Sequence, residues 1–268
     1  MSEPITSRQN ARIKAAAKLR EARQRKKQGR FVIDGVREIG RALDAGIEVD
    51  EAFICSQLCT TDAAKALASR LAPAQKIDVT ADVFEKICFG QRTEGVVMVA
   101  KTPERSLGQL SLPTNPLVAV LADLEKPGNV GAILRTADGA GIDGVIVAGD
   151  YVDLFNPNTI RASLGTVFAK NVVAAAIEET IKQLREWHLP IIAARPQATK
   201  LYTEVNYRKG AAIVLGSEAD GLTPQWQQTD VQGVRLKMEG IADSLNVSVT
   251  AGVLFYEAQR QRTAKEIE

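Results

Sequence analysis

Short apolar runs punctuate the first hundred residues: Phe31-Val32-Ile33, Ala52-Phe53-Ile54, Lys76-Ile77-Asp78-Val79 and Val96-Val97-Met98-Val99, with helix-length segments between them. Strand alternating with helix predicts a small α/β domain over residues 1–103. A polar, Pro-containing stretch without a periodic apolar face follows, running through Thr102-Pro103 to Asn115-Pro116, and reads as a linker over 104–115. The pattern then restarts with Leu117-Val118-Ala119-Val120-Leu121 and recurs at Gly144-Val145-Ile146-Val147, Pro190-Ile191-Ile192-Ala193-Ala194 and Ala211-Ala212-Ile213-Val214-Leu215. These runs are apolar throughout, as strands covered on both faces must be. They predict a second domain over 116–268, again α/β, with a mostly parallel sheet flanked by helices. Ligands of such sheets sit at the C-terminal strand ends. That rule directs attention to residues 123–131, 149–153, 195–197 and 216–221.

Two segments fit the strand-helix rhythm less simply. Ser244-Leu245-Asn246-Val247-Ser248-Val249 alternates like a strand yet runs into Ala251-Gly252-Val253-Leu254-Phe255-Tyr256, so periodicity leaves strand and helix both open. Ser244 as N-cap makes Leu245 to Arg260 one long helix. At the other end, Arg8, Arg12, Lys14, Lys18, Arg20, Arg23, Arg25, Lys26, Lys27 and Arg30 face Glu21 alone, interleaved with Ile13, Ala16, Ala17 and Leu19. The spacing predicts a basic helix that is either a solvated face or a phosphate-binding one. The net charge of +2 hides this asymmetry.

Composition narrows the chemistry. With 45% hydrophobic residues over 268 positions the chain can bury a core, and no run approaches the roughly 18 apolar residues of a membrane span. The N-terminus is polar, so a cytoplasmic location is expected, with no membrane partner. Cys55, Cys59 and Cys88 join no His/Cys cluster, which predicts buried thiols and no metal site. His188, the single histidine, lies at an apparent helix end in Glu186-Trp187-His188-Leu189-Pro190, a poor setting for Ser-His-Asp chemistry. Gly139-Ala140-Gly141-Ile142-Asp143-Gly144 matches G-x-G-x-x-G letter for letter. A dinucleotide fingerprint must end a strand and open a helix, whereas these glycines end a helix and open a strand.

Three other segments carry chemistry. Pro127-Gly128-Asn129-Val130-Gly131 feeds a strand end into a helix with Asn129 near the cap and Arg135 about two turns in. Leu215-Gly216-Ser217-Glu218-Ala219-Asp220-Gly221 sets glycines and acids directly after a buried strand, where glycine permits close approach to a ligand. The third is Ser244 to Val249. In order, spacing and identity, this set resembles the SpoU/TrmH branch of the SPOUT RNA methyltransferases. Asn156-Pro157-Asn158 and Arg161 to Phe168 resemble a further family segment, so the likeness spans roughly residues 115 to 262. The N-terminal part resembles the ribosomal-protein L30e-like substrate-binding domain of many members, and the chain is also similar to members that confer antibiotic resistance.

The resemblance implies a deep C-terminal trefoil knot, which general topology rules would not suggest. It implies S-adenosylmethionine as cofactor, held at Ala194, Arg195, Gly216, Leu236, Met238 and Leu245. Lys237 stands where many relatives have proline. It implies transfer of a methyl group to a ribose 2'-hydroxyl of RNA, ribosomal in preference to transfer RNA, by a homodimer packed through the knotted domain. Arg135 would activate the hydroxyl together with Asn129 of the partner subunit, while Glu218, Ser244 and Asn246 hold loops and nucleotide. Arginine stays protonated in proteins, so gripping a phosphate and steadying the developing alkoxide is an equal reading of Arg135. Arg23, Arg25, Lys26, Lys27 and Arg30 are the expected RNA contacts. A non-catalytic RNA-binding protein with the same fold and a generic α/β nucleotide enzyme are the remaining readings.

Overall fold

A computed structural model describes residues 3–89, 94–149, 152–169, 171–217 and 221–263. The chain forms two compact units: 1–104 with 155–168, and 105–154 with 169–268.

The first unit opens with α1 (Ala11–Lys18) and α2 (Ala22–Gln28), followed by β1 (Arg30–Asp34), α3 (Val36–Asp44), β2 (Val49–Ile54), α4 (Asp62–Arg70), β3 (Lys76–Asp78), α5 (Ala81–Ile87) and β4 (Val96–Lys101). All four expected strands are present, in the order β1-β4-β2-β3, with β4 antiparallel to both neighbours and β3 parallel to β2. The expected single basic helix is two. It breaks at Leu19, which is fully buried, and the chain turns extended at Glu21. A helix end leaves carbonyls without partners, and here the Arg25 guanidinium reaches back to donate to the Leu19 carbonyl at 2.6 Å.

The second unit begins with β5 (Leu117–Ala122), α6 (Pro127–Gly139) and β6 (Gly144–Ala148). The crossover to the next strand carries α7 (Pro157–Ala162), which belongs to the first unit. Then come β7 (Val172–Ala175), α8 (Ile177–Glu186), β8 (Ile191–Ala194), β9 (Ala211–Leu215), β10 (Val231–Val234) and α9 (Val247–Thr263). The six strands are all parallel in the order β10-β8-β9-β5-β6-β7. The buried runs of β5 and β9 pair with each other at its centre, Leu117 beside Ala211 through Leu121 beside Leu215. After β10 the chain returns from that edge to lay α9 on α6.

Residues 104–115 are not a bare linker. Leu107, Leu110 and Leu112 pack against the core of the second unit, and Arg105 donates to the carbonyls of Ala169 and Val172 at 2.8 and 3.0 Å. The glycines of the false fingerprint do what their context predicts: α6 ends at Gly139, Gly141 turns left-handed at φ 68°, and Gly144 opens β6. His188 likewise follows the end of α8, exposed and at φ 53°.

Candidate active site

The C-terminal ends of β8, β9 and β10 and the approach to α9 enclose a cavity of about 520 Å3. Each of the six positions expected to hold the cofactor lines it: Ala194, Arg195, Gly216, Leu236, Met238 and Leu245, with Ser244 beside them. Leu215, Val234 and Val247 add apolar wall. The volume lies within the several hundred cubic ångströms typical of a small-molecule site, and walls that mix apolar and polar surface suit an aromatic base carrying a polar tail. Gly216 is required by close approach: a Cβ there would stand 2.6 Å from the Gly221 carbonyl oxygen and 2.8 Å from Leu222 Cγ. Side-chain polarity comes from Gln197, Ser217, Gln227, Ser244 and Thr250, and charge from Arg195, Arg235 and Asp243. The Arg195 guanidinium donates to the carbonyl of Trp226, tying the segment after Gly221 to the end of β8.

Beside this cavity, next to its lining residues Leu245 and Val247, two helix starts meet. The Ser248 backbone N–H and hydroxyl both donate to Asn246 Oδ1, at 2.9 and 2.6 Å. Asn246, and not Ser244, therefore caps α9, which starts two residues later than the sequence suggests. With Oδ1 so engaged, the amide nitrogen of Asn246 faces Asn129 Oδ1 at 3.4 Å. Asn129 is not a cap either. Lys126 precedes α6, Pro127 occupies its first turn, and Asn129 is the third helical residue. The N-termini of both helices carry partial positive charge.

Not every expected site residue gathers here. Arg135 is exposed on α6 and does not line the cavity. Six residues from Asn129 is about 600° of helix rotation, which puts the two side chains on different faces. Glu218 lies outside the described residues. Of the five expected RNA contacts, Arg23, Lys26 and Lys27 are exposed on α2. Arg25 is a correction, 4% exposed and committed to Leu19. Arg30 is half-buried, paired with Asp50 at 2.5 Å and Gln28 at 2.7 Å. Sequence reasoning passed over Thr250 and Gln227. Thr250 stands three residues after Val247 on one helix face, a spacing that could have found it; nothing local marks Gln227.

The comparisons with known proteins bear on this geometry. Residues 116–256 match the SpoU rRNA Methylase family, and residues 10–98 match the MRM3-like substrate binding domain. The chain belongs to the SpoU rRNA methylase family. A solved RNA 2'-O ribose methyltransferase is 41% identical, with a TM-score of 0.85 over 97% of this chain and all of that one. The AdoMet-bound rRNA methyltransferase of Sinorhizobium meliloti is 26% identical with the same TM-score, covering 96% of this chain and 97% of its own. The 23S rRNA (uridine(2479)-2'-O)-methyltransferase of Streptomyces viridochromogenes is 28% identical across 96% of this chain and 92% of its own. The cavity at β8, β9 and β10 thus lies within the family's own domain, whose fold is that of the SPOUT methyltransferases.

Proposed function

We propose that this protein transfers a methyl group from S-adenosylmethionine to a ribose 2'-hydroxyl of ribosomal RNA, in the large-subunit 23S molecule. The observation that carries the reading is the cavity itself, with the expected contact positions around it and the Asn129–Asn246 pair next to its Leu245–Val247 wall. Bound there, the donor supplies a methyl on a positively charged sulfur, which an aligned oxygen displaces in one step. The residues of this chain have the remaining work. Gly216 would admit the donor, and Leu236, Met238 and Leu245 would give it apolar contact. Asn129 and Asn246, fixed by the α9 cap, orient the ribose.

The alkoxide needs a cation, and Arg135 is exposed on the face of α6 turned from its own Asn129. A second copy of the chain would supply it. Val249 and Tyr256 leave an apolar stripe on α9, each 51% exposed, next to α6. We place the homodimer contact on this stripe and the knot expected of the fold at the return from β10 to α6. Arg23, Lys26 and Lys27 are the RNA-facing cations of the substrate-binding unit. Among the described residues no helix is long and apolar enough to cross a membrane, and the cytoplasm, where ribosomal RNA resides, is the proposed location.

The test is incubation with unmodified total RNA and tritiated donor, followed by mapping of 2'-O-methyl positions. Label in 23S RNA is expected; label confined to transfer RNA would overturn the target. Arg135→Ala should fold, bind the donor and lose methyl transfer, and full activity in that variant would remove Arg135 from the mechanism.

A further inference from the structure

We propose that Asp243 makes this pocket prefer the charged methyl donor over its spent, uncharged form, so that fresh donor displaces product. The inference rests on the methyltransferase reading above. Among the described residues lining the cavity, Asp243 carries the only carboxylate. It is exposed and, among the described residues, has no ion-pair or hydrogen-bond partner. Three acids of this unit are paired, Asp230 with Arg185 at 2.7 Å, Glu257 with Arg260 at 2.8 Å and Asp143 with Arg262 at 3.8 Å, whereas Asp243 shares its unpaired state with acids such as Asp138 and Glu178 but differs from them in lining the cavity. Two cations, Arg195 and Arg235, line the same cavity, and among the described residues neither pairs with Asp243; Arg195 donates to the Trp226 carbonyl, and Lys237 nearby is paired with Glu239 at 2.5 Å.

Position gives the free charge its meaning. Asp243 adjoins Ser244 and precedes by three residues Asn246, whose amide meets Asn129. A methyl group can reach a ribose held by these asparagines only if the donor's sulfur lies toward the wall formed by Ser244, Leu245 and Val247, the lining residues that flank Asn246. Asp243 therefore lines the pocket where the sulfonium comes to rest. In the reaction the sulfur–methyl bond breaks and its electron pair stays on sulfur. A carbon–oxygen bond forms to the ribose, and the hydroxyl proton leaves to solvent. The ligand loses one positive charge, and with it the attraction to the carboxylate. An interaction stronger in the ground state than in the transition state does not accelerate chemistry. Its effect falls on exchange of donor for product.

Isothermal titration of the full chain with three ligands tests this: S-adenosylmethionine, S-adenosylhomocysteine, and the donor analogue in which an amine-bearing carbon replaces the methylated sulfur. Asp243→Asn should weaken the two cationic ligands about three- to tenfold, the size of a solvent-accessible charge pair, and shift S-adenosylhomocysteine by less than about twofold. Asp243→Glu should keep the discrimination. An equal shift for all three ligands, or none, overturns the proposal. So does a fall in single-turnover rate with unchanged affinities, which would make Asp243 a proton acceptor instead. A wild-type chain that binds neither S-adenosylmethionine nor S-adenosylhomocysteine would sink the methyltransferase reading as well. One that binds both, with the variant shifting them alike, sinks only the role of Asp243.

Discussion

Asn246 uses the two ends of one amide for different purposes. Its oxygen takes the Ser248 N–H and starts α9; its nitrogen faces Asn129. The substitutions separate cleanly. Asn246→Ala removes both and should cost about 1 kcal/mol of stability, the usual value of an N-cap, along with methyl transfer. Asn246→Asp keeps the cap acceptor and loses the donor, so the melting temperature should hold while single-turnover rates fall. Equal activity in the two variants would assign Asn246 to the fold alone. Gly216→Ala drives a methyl into the Gly221 carbonyl. At least a tenfold loss of donor affinity by calorimetry is expected from it, since overpacking of this size costs roughly 1–3 kcal/mol. The glycine and the asparagine were legible in the sequence because each is the rare residue type its position demands. The cap itself was misplaced, because Ser244 and Asn246 are both good caps and only the backbone decides between them.

At the scale of elements, the central strands announced themselves and the edge strands did not. β5 and β9 are apolar at every position because helices and neighbouring strands cover them. β10 reads Val231-Gln232-Gly233-Val234, and β7 is four residues long with its last two only half-buried. Both lie at the margins of the sheet, where one side of the strand is open and the demand for a continuous apolar run is relaxed. The N-terminal helices show the opposite failure. Charge alone made Arg25 a surface residue, while the break at Leu19 makes it the partner of a stranded carbonyl. Arg25→Ala should therefore lower stability by about 1.5–3 kcal/mol in urea melts. Neutralising Arg23, Lys26 and Lys27 together should leave the melt unchanged and reduce the salt slope of RNA binding by roughly 2 to 3. At the far end of α9, hydrogen bonds from Arg260 and Gln261 hold the Glu257 carboxyl below the usual range. The folded state thus favours its charged form. This stabilisation is present above the unfolded value near ~4.3 and is lost as pH falls through the folded one. Glu257→Gln should flatten the acid limb of a stability-versus-pH curve.

On the scale of the molecule, the boundary between the units is not a single point in the sequence. Residues 155–168 sit in the middle of the family segment, between two strands of the parallel sheet, yet they complete the first unit. Phe155 and Phe168 stack on Phe31 of β1 with ring centroids 4.5 and 6.1 Å away. Arg41 of α3 donates to the Leu164 carbonyl at 2.8 Å, and Arg161 to that of Phe89 at 3.1 Å. Gly165, at φ 88°, leaves only 3.2 Å between a would-be Cβ and Arg41 Cδ. Local pattern could not reveal this, because a crossover helix reads the same whichever core it serves. A fragment of residues 1–104 should consequently expose the Phe31 face and fail to give native-like dispersion in NMR spectra. The same fragment with residues 155–168 appended should recover it, and a well-folded 1–104 alone would contradict the packing described.

The shared ownership of residues 155–168 also constrains how such a protein can be rebuilt. Exchanging the substrate-binding unit for that of a relative, in order to redirect methylation to another RNA, cannot be done with one junction near residue 104. The incoming unit must bring its own counterpart of the crossover, spliced between β6 and β7, or its aromatic face will meet a foreign partner. The first unit and the middle of the SpoU domain are therefore inherited together, as one piece of sequence in two places.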